Sequence, residues 1–144
     1  DMNTAILFIT HDLGTVAAMC DRVAVMYLGK IVEIAPVKDI YARPLHPYTQ
    51  GLIGSVHKIG TRKADRLFSI EGTVPLALNL PPGCGFYERC HQRIEGVCNV
   101  TEPELVEMGD GHMVACHACS GNCKACGQSA AKDTAGQKGE EKNG

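Results

Sequence analysis

The first apolar run, Ala5-Ile-Leu-Phe-Ile9, is continuous and β-branched-rich. Such a run predicts a strand covered on both faces, as in a parallel sheet. Asp12 then stands as a helix cap, and Leu13, Val16, Ala17 and Cys20 recur at i, i+3, i+4 and i+7. On that stripe Cys20 reads as a small buried hydrophobe. Arg22–Tyr27 predicts a second strand, Leu28-Gly29-Lys30 a turn, and Ile31–Ile34 a third strand that closes a hairpin. Pro36 opens a short helix carrying Val37, Ile40 and Tyr41, which must stop before Pro44. Pro47 opens another helical stretch through Leu52, Ile53 and Val56.

Beyond residue 56 the pattern changes. Residues 57–66 are polar and basic, Ile70–Leu80 reads as extended chain, and Pro81-Pro82-Gly83 is a firm break, so 57–83 is read as a linker. Residues 84–126 show little periodicity but many cysteines and glycines. Such a segment cannot build a large apolar core and needs a staple. Residues 127–144, rich in Ala, Gly, Lys and Glu, read as a disordered tail. Residues 1–56 form the α/β part. Its opening strand has no apolar neighbour before it, so the chain reads as a fragment of a longer one.

Charge narrows the function classes. A net charge of −2 offers no basic patch for nucleic acid. No apolar run reaches the roughly 20 residues needed to cross a bilayer. The first residues lack the basic stretch, apolar core and small-residue cleavage site of a signal peptide. Membrane association would therefore be peripheral.

Eight cysteines in 144 residues demand an account. Beside an aliphatic α/β pattern and without a leader, a reducing compartment and metal ligation are favoured over disulfides. Cys84, Cys90, Cys98 and Cys116 follow C-x5-C-x7-C-x17-C. Four thiolates suit a tetrahedral zinc ion or an iron–sulfur cluster, and these gaps match neither common zinc ribbons nor ferredoxin runs. Two Cys-x-x-Cys pairs, Cys116–Cys119 and Cys123–Cys126, lie three residues apart. Either Cys119, Cys123 and Cys126 hold a second ion with His117, or they are an accessory that need not be filled. Used as a redox sensor, the pairs would need thiols of low pKa.

His11 stands where the first strand hands over to a helix, the end of a strand at which open α/β sheets bind ligands. A neutral imidazole there could meet a phosphate oxygen or a catalytic water. It could equally serve only the loop backbone. The residues around it carry more. Phe8-Ile-Thr-His11-Asp-Leu13, followed by Cys20-Asp-Arg-Val-Ala-Val-Met-Tyr-Leu-Gly-Lys-Ile-Val-Glu33, resembles the switch region of ABC-transporter ATPases. Pro44-Leu-His-Pro-Tyr-Thr-Gln-Gly-Leu52 resembles the extension typical of the oligopeptide and dipeptide importers. Leu80-Pro-Pro-Gly-Cys84-Gly-Phe86, Cys90, Cys98, Pro103-Glu-Leu105 and His112-Met-Val-Ala-Cys116-His117 continue it.

The resemblance implies the C-terminal part of a P-loop NTPase (ABC ATPase) domain, followed by a small irregular domain stabilised by metal. It implies that His11 is the switch histidine on the γ-phosphate, and that Cys84, Cys90, Cys98 and Cys116 hold a [4Fe–4S] cluster, with zinc as the alternative. It further implies ATP and Mg²⁺ as cofactors of the intact subunit, and a second ABC ATPase subunit and transmembrane permease subunits as partners. A periplasmic or extracellular substrate-binding protein would act indirectly, and the place would be the cytoplasmic face of a prokaryotic membrane. The sequence contains no G-x-x-x-x-G-K-[ST] loop, no Ser-Gly-Gly-Gln signature and no strand ending in an acidic pair. No ATP hydrolysis is therefore expected of this chain alone. The alternatives from another class are a stand-alone metal-binding interaction module or a thiol redox sensor.

Overall fold

The structure, a computed structural model, describes residues 4–55 and 82–121. The predicted linker falls largely, and the predicted tail wholly, outside those residues, as does Val56. The first helix, α1 (Leu13–Met19), begins as the sequence predicts. The Asp12 carboxylate accepts from Gly14 N at 2.9 Å, Thr15 N at 3.4 Å and Thr15 Oγ1 at 2.7 Å. A cap of this kind satisfies donors that the first turn otherwise leaves open. Val16 is the buried residue of α1, and the Tyr41 hydroxyl donates to the Leu13 carbonyl.

Strands β1 (Arg22–Tyr27) and β2 (Lys30–Pro36) form the expected antiparallel hairpin. Leu28 and Gly29 both take left-handed φ values, 47° and 80°. A two-residue loop needs that handedness to follow the strand twist. The register slips between Val25 and Met26, and β2 carries Val32 as the extra residue. Helix α2 (Val37–Ala42) follows directly, with Val37 N donating to the Asp21 carbonyl at 2.9 Å. Helix α3 (Pro47–Ser55) follows the prolines.

The cysteine-bearing segment supplies a 3₁₀ turn (Tyr87–Arg89), strands β3 (Val106–Glu107) and β4 (Met113–Val114), and helix α4 (His117–Gly121). Its strands extend the hairpin into one antiparallel sheet, ordered β1-β2-β4-β3. The Val32 carbonyl, displaced by the bulge, accepts from Ala115 N at 2.9 Å. The core gathers Val25, Tyr27, Val32, Ala35, Ile40 and Phe86, with Tyr48, Leu52, Cys84 and Cys90 packed against it. Tyr27, Tyr48 and Phe86 stack with ring centroids 4.7–5.5 Å apart, within the favourable range for aromatic pairs. A second cluster holds Val114, Cys116 and Cys119 beside Leu45 and Ala118.

One expectation fails. Residues 4–10 do not form a strand, and Ile6, Leu7 and Ile9 are 83%, 89% and 89% exposed. A strand exists only with a ladder partner, and among the described residues none lies beside this run. The observed sheet is antiparallel throughout, so the parallel-sheet reading of Ala5–Ile9 is not realised here. No described helix is long and apolar enough to cross a membrane.

Candidate functional site

Three groups of residues carry chemistry. The first is His11, exposed, one position before the Asp12 cap. The hydrogen bond from Thr15, then those from the Gly14 and Thr15 amides, hold the Asp12 carboxyl below its ordinary range. His11 is thus fixed to the start of α1 at its C-terminal side, and its ring faces solvent.

The second group is buried. Glu33, in the middle of β2, is 0% exposed. Its carboxylate accepts from Leu45 N at 2.7 Å, His46 N at 3.0 Å and His112 Nε2 at 2.7 Å. One side chain therefore joins the hairpin, the segment leading into α3, and the loop that leads into β4. His46 Nδ1 in turn accepts from Tyr48 N at 3.1 Å. Burial pushes His46 down to about 4, against the opposing pull of the Glu33 charge, so its ring is neutral near pH 7. Gln50 Nε2 donates to the Pro44 and Leu45 carbonyls at 3.1 and 3.2 Å. The Pro-x-His-Pro-Tyr-Thr-Gln motif is thereby explained as a set of backbone satisfiers around a bend. Its role with Glu33 and His112 escaped the sequence reading. A lone carboxylate inside Ile31-Val-Glu-Ile-Ala35 was the available signal, since such a position is otherwise apolar.

The third group is the cysteines. Gly83 lets the chain pass against the backbone of Cys98–Val100, and Cys84 N donates to the Cys98 carbonyl at 2.7 Å. The 3₁₀ turn then carries Cys90 back toward Cys84, with Cys90 N on the Tyr87 carbonyl. Cys116 arrives from the other side, at the end of β4. All six described cysteines are thiols and none is in a disulfide. Burial raises Cys84 and pushes Cys90 up to about 11; Cys84 also feels Cys98 and Cys116, and Cys90 feels Cys116, Cys84 and Cys98. The four residues singled out by spacing thus come within electrostatic reach of one another. Among the described residues, however, no three His, Cys, Asp or Glu form a group that could hold a single metal ion.

Cys116 is shifted the opposite way from Cys84 and Cys90. A hydrogen bond from the Cys119 thiol, then backbone bonds from Cys119 and Ala118, bring it down to about 6 against its burial. Cys119 also points its sulfur at the Leu45 carbonyl, 3.5 Å away. His117 Nε2 donates to the Thr101 carbonyl at 3.0 Å. Cys123 and Cys126, the other members of the predicted second metal set, lie outside the described residues.

Residues 32–98 match the family model described as the oligopeptide/dipeptide transporter, C-terminal region. The chain is 50% identical over 115 residues to the "Probable peptide ABC transporter ATP-binding protein y4tR" of Sinorhizobium fredii, covering 80% of this chain and 34% of that protein. It is 47% identical over 114 residues to the oligopeptide transport ATP-binding protein AppD of Bacillus subtilis, covering 79% and 34%. It is 46% identical over 114 residues to the dipeptide transport ATP-binding protein DppD of the same organism, covering 79% and 33%. The chain spans about a third of the length of these relatives. It belongs to the family of oligopeptide/dipeptide ABC transporter ATP-binding proteins.

Proposed function

We propose that these residues serve in the ATP-binding subunit of an ABC importer for oligopeptides or dipeptides, at the cytoplasmic face of a prokaryotic membrane. The observation that carries the reading is the extent of identity, which takes in most of the described residues. In this reading ATP and Mg²⁺ occupy a site completed by the rest of such a subunit. A second ATPase subunit and the permease subunits are its partners, and a substrate-binding protein delivers the cargo. His11 contributes a positioned donor to the γ-phosphate. Phosphoryl transfer depends mainly on positioning and charge stabilisation, so one such donor has a large effect. Its exposure just before the capped α1 suits a group that must reach a ligand outside its own segment.

A hybrid tests this. The matching stretch of Bacillus subtilis DppD is replaced with residues 4–121 of this chain, and peptide uptake is followed in cells lacking DppD. Uptake should be restored, and His11→Ala in the same hybrid should bring it well below the parent hybrid at equal protein level. Undiminished uptake by the His11→Ala hybrid would sink the role given to His11.

The same reading assigns Cys84, Cys90, Cys98 and Cys116 to a [4Fe–4S] cluster, which would cross-link the loops and supply a structural staple. In its favour stand four thiols, none in a disulfide, contributed by three separate loops; among the described residues no three of them group as ligands of a single ion. Reconstitution of the reduced chain under anaerobic conditions should give about four iron and four sulfide per chain with a broad band near 400 nm. Zinc uptake without sulfide would replace the cluster with an ion.

A further inference from the structure

We infer that Tyr41 is a positioning residue for His11: its hydroxyl, carried on a ring packed against the hairpin core, ties the start of α1 to α2 and so fixes where His11 stands. The inference rests on the donor role given to His11 above. Three contacts carry it. The Tyr41 hydroxyl donates to the carbonyl of Leu13, the first residue of α1, 28 positions away. The Tyr41 ring packs against the hairpin core, next in sequence to Ile40, which is 1% exposed. Beyond the other end of α1, Val37 N, at the start of α2, donates to the Asp21 carbonyl at 2.9 Å. The segment that contains α1 is thus held to α2 at both ends.

The turn that carries His11 is closed on itself. Asp12 N donates to Thr10 Oγ1 at 3.0 Å, across His11, and the Asp12 carboxylate caps α1. His11 therefore moves with the first turn of α1 as one piece. That helix has little burial to hold it, because its seven residues bury one side chain, Val16. A helix shorter than about 12 residues is marginal without tertiary contacts.

The tie matters because α1 acts as a lever. Seven residues span about 10 Å, so a tilt of about 6° around the Asp21 end displaces the His11 end by about 1 Å. A misplacement of that size at a group meeting the reacting phosphoryl can cost about a hundredfold in rate. The Tyr41 hydroxyl opposes that tilt at the end where His11 stands. Tyr41→Phe keeps the ring in the core and removes only the bond to Leu13, so it isolates the tie.

Two measurements test this. In the full 144-residue chain, amide hydrogen exchange is compared between parent and Tyr41→Phe. Val16 N and Cys20 N donate to the Asp12 and Val16 carbonyls and so report on α1. Their exchange should quicken about two- to tenfold, the factor that one hydrogen bond is worth, while the β1–β2 ladder amides keep their rates. Unchanged exchange in α1, or equal quickening in α1 and the hairpin, overturns the tie. The second measurement uses the DppD hybrid that carries residues 4–121, purified and assayed for ATP hydrolysis. Tyr41→Phe should lower kcat about tenfold with the KM for ATP held within about twofold, the pattern of a group misplaced for the transition state. On top of His11→Ala the same change should do nothing further, because the group it positions is gone. An equal loss in both backgrounds overturns the positioning role and leaves Tyr41 a packing residue. No loss from His11→Ala alone overturns the donor role of His11, and with it Tyr41's part in catalysis, whatever the exchange shows.

Discussion

Glu33→Ala should destabilise the fold by about 3–5 kcal/mol, the cost of leaving several buried hydrogen-bond donors without their acceptor. The reason is the number of donors it would abandon. Leu45 N, His46 N and His112 Nε2 all end on this one carboxylate, inside a region that water does not reach. Each buried donor left without an acceptor costs about 1–3 kcal/mol. By contrast, the Lys30–Glu102 ion pair, which also joins the hairpin to the C-terminal loop, is half exposed on both sides. Exposed pairs of that kind contribute about 0–1 kcal/mol. Of these two side-chain links between the hairpin and the C-terminal segment, the buried one at Glu33 therefore contributes the more. Glu33→Gln should fall between wild type and Glu33→Ala, because the amide keeps one acceptor oxygen but presents a donor where another donor stands. Urea unfolding followed by circular dichroism measures all three. A Glu33→Ala loss below about 1 kcal/mol would mean that the network is solvated or replaceable.

The same residue shows what a sequence reveals of a fold and what it hides. The hairpin, α1, α2 and α3 were legible because their determinants are local: the Asp12 cap, the Gly29 turn, and prolines at 36 and 47. Residues 4–10 misled because a strand is a relation between segments. Their apolar pattern states a requirement for cover that these described residues do not meet. Glu33 was hidden for a related reason: its partners are 12, 13 and 79 positions away, and no periodicity links them. The cysteines lay between these cases. Their spacing singled out Cys84, Cys90, Cys98 and Cys116 without a fold. Only the fold shows that Cys116, just past β4, packs with Cys119 in one cluster while Cys84 and Cys90 pack against the other.

Gly83→Ala should be the other severe substitution, although it adds one methyl group. A Cβ at this position would lie 2.2 Å from the Cys98 carbonyl oxygen, 2.6 Å from Asn99 C and 2.9 Å from Val100 N. All three are backbone atoms, so no side chain can turn aside to make room. Overpacking a tight site costs about 1–3 kcal/mol, and a clash with fixed backbone belongs at the upper end of that range. The displacement has a direction. It must push the strand of chain at Gly83-Cys84 away from Cys98–Val100, stretching the 2.7 Å bond from Cys84 N to the Cys98 carbonyl. Cys84 and Cys98 would then separate, which a loss of stability alone does not require. Two readouts therefore distinguish the outcomes. A lower urea midpoint together with reduced iron uptake, measured well below the unfolding transition, supports the close passage as the element that sets the distance between these cysteines. A lower midpoint with unchanged iron uptake would confine Gly83 to packing, and a change in stability within about 0.5 kcal/mol would mean that the two backbones do not pass as closely as this geometry requires.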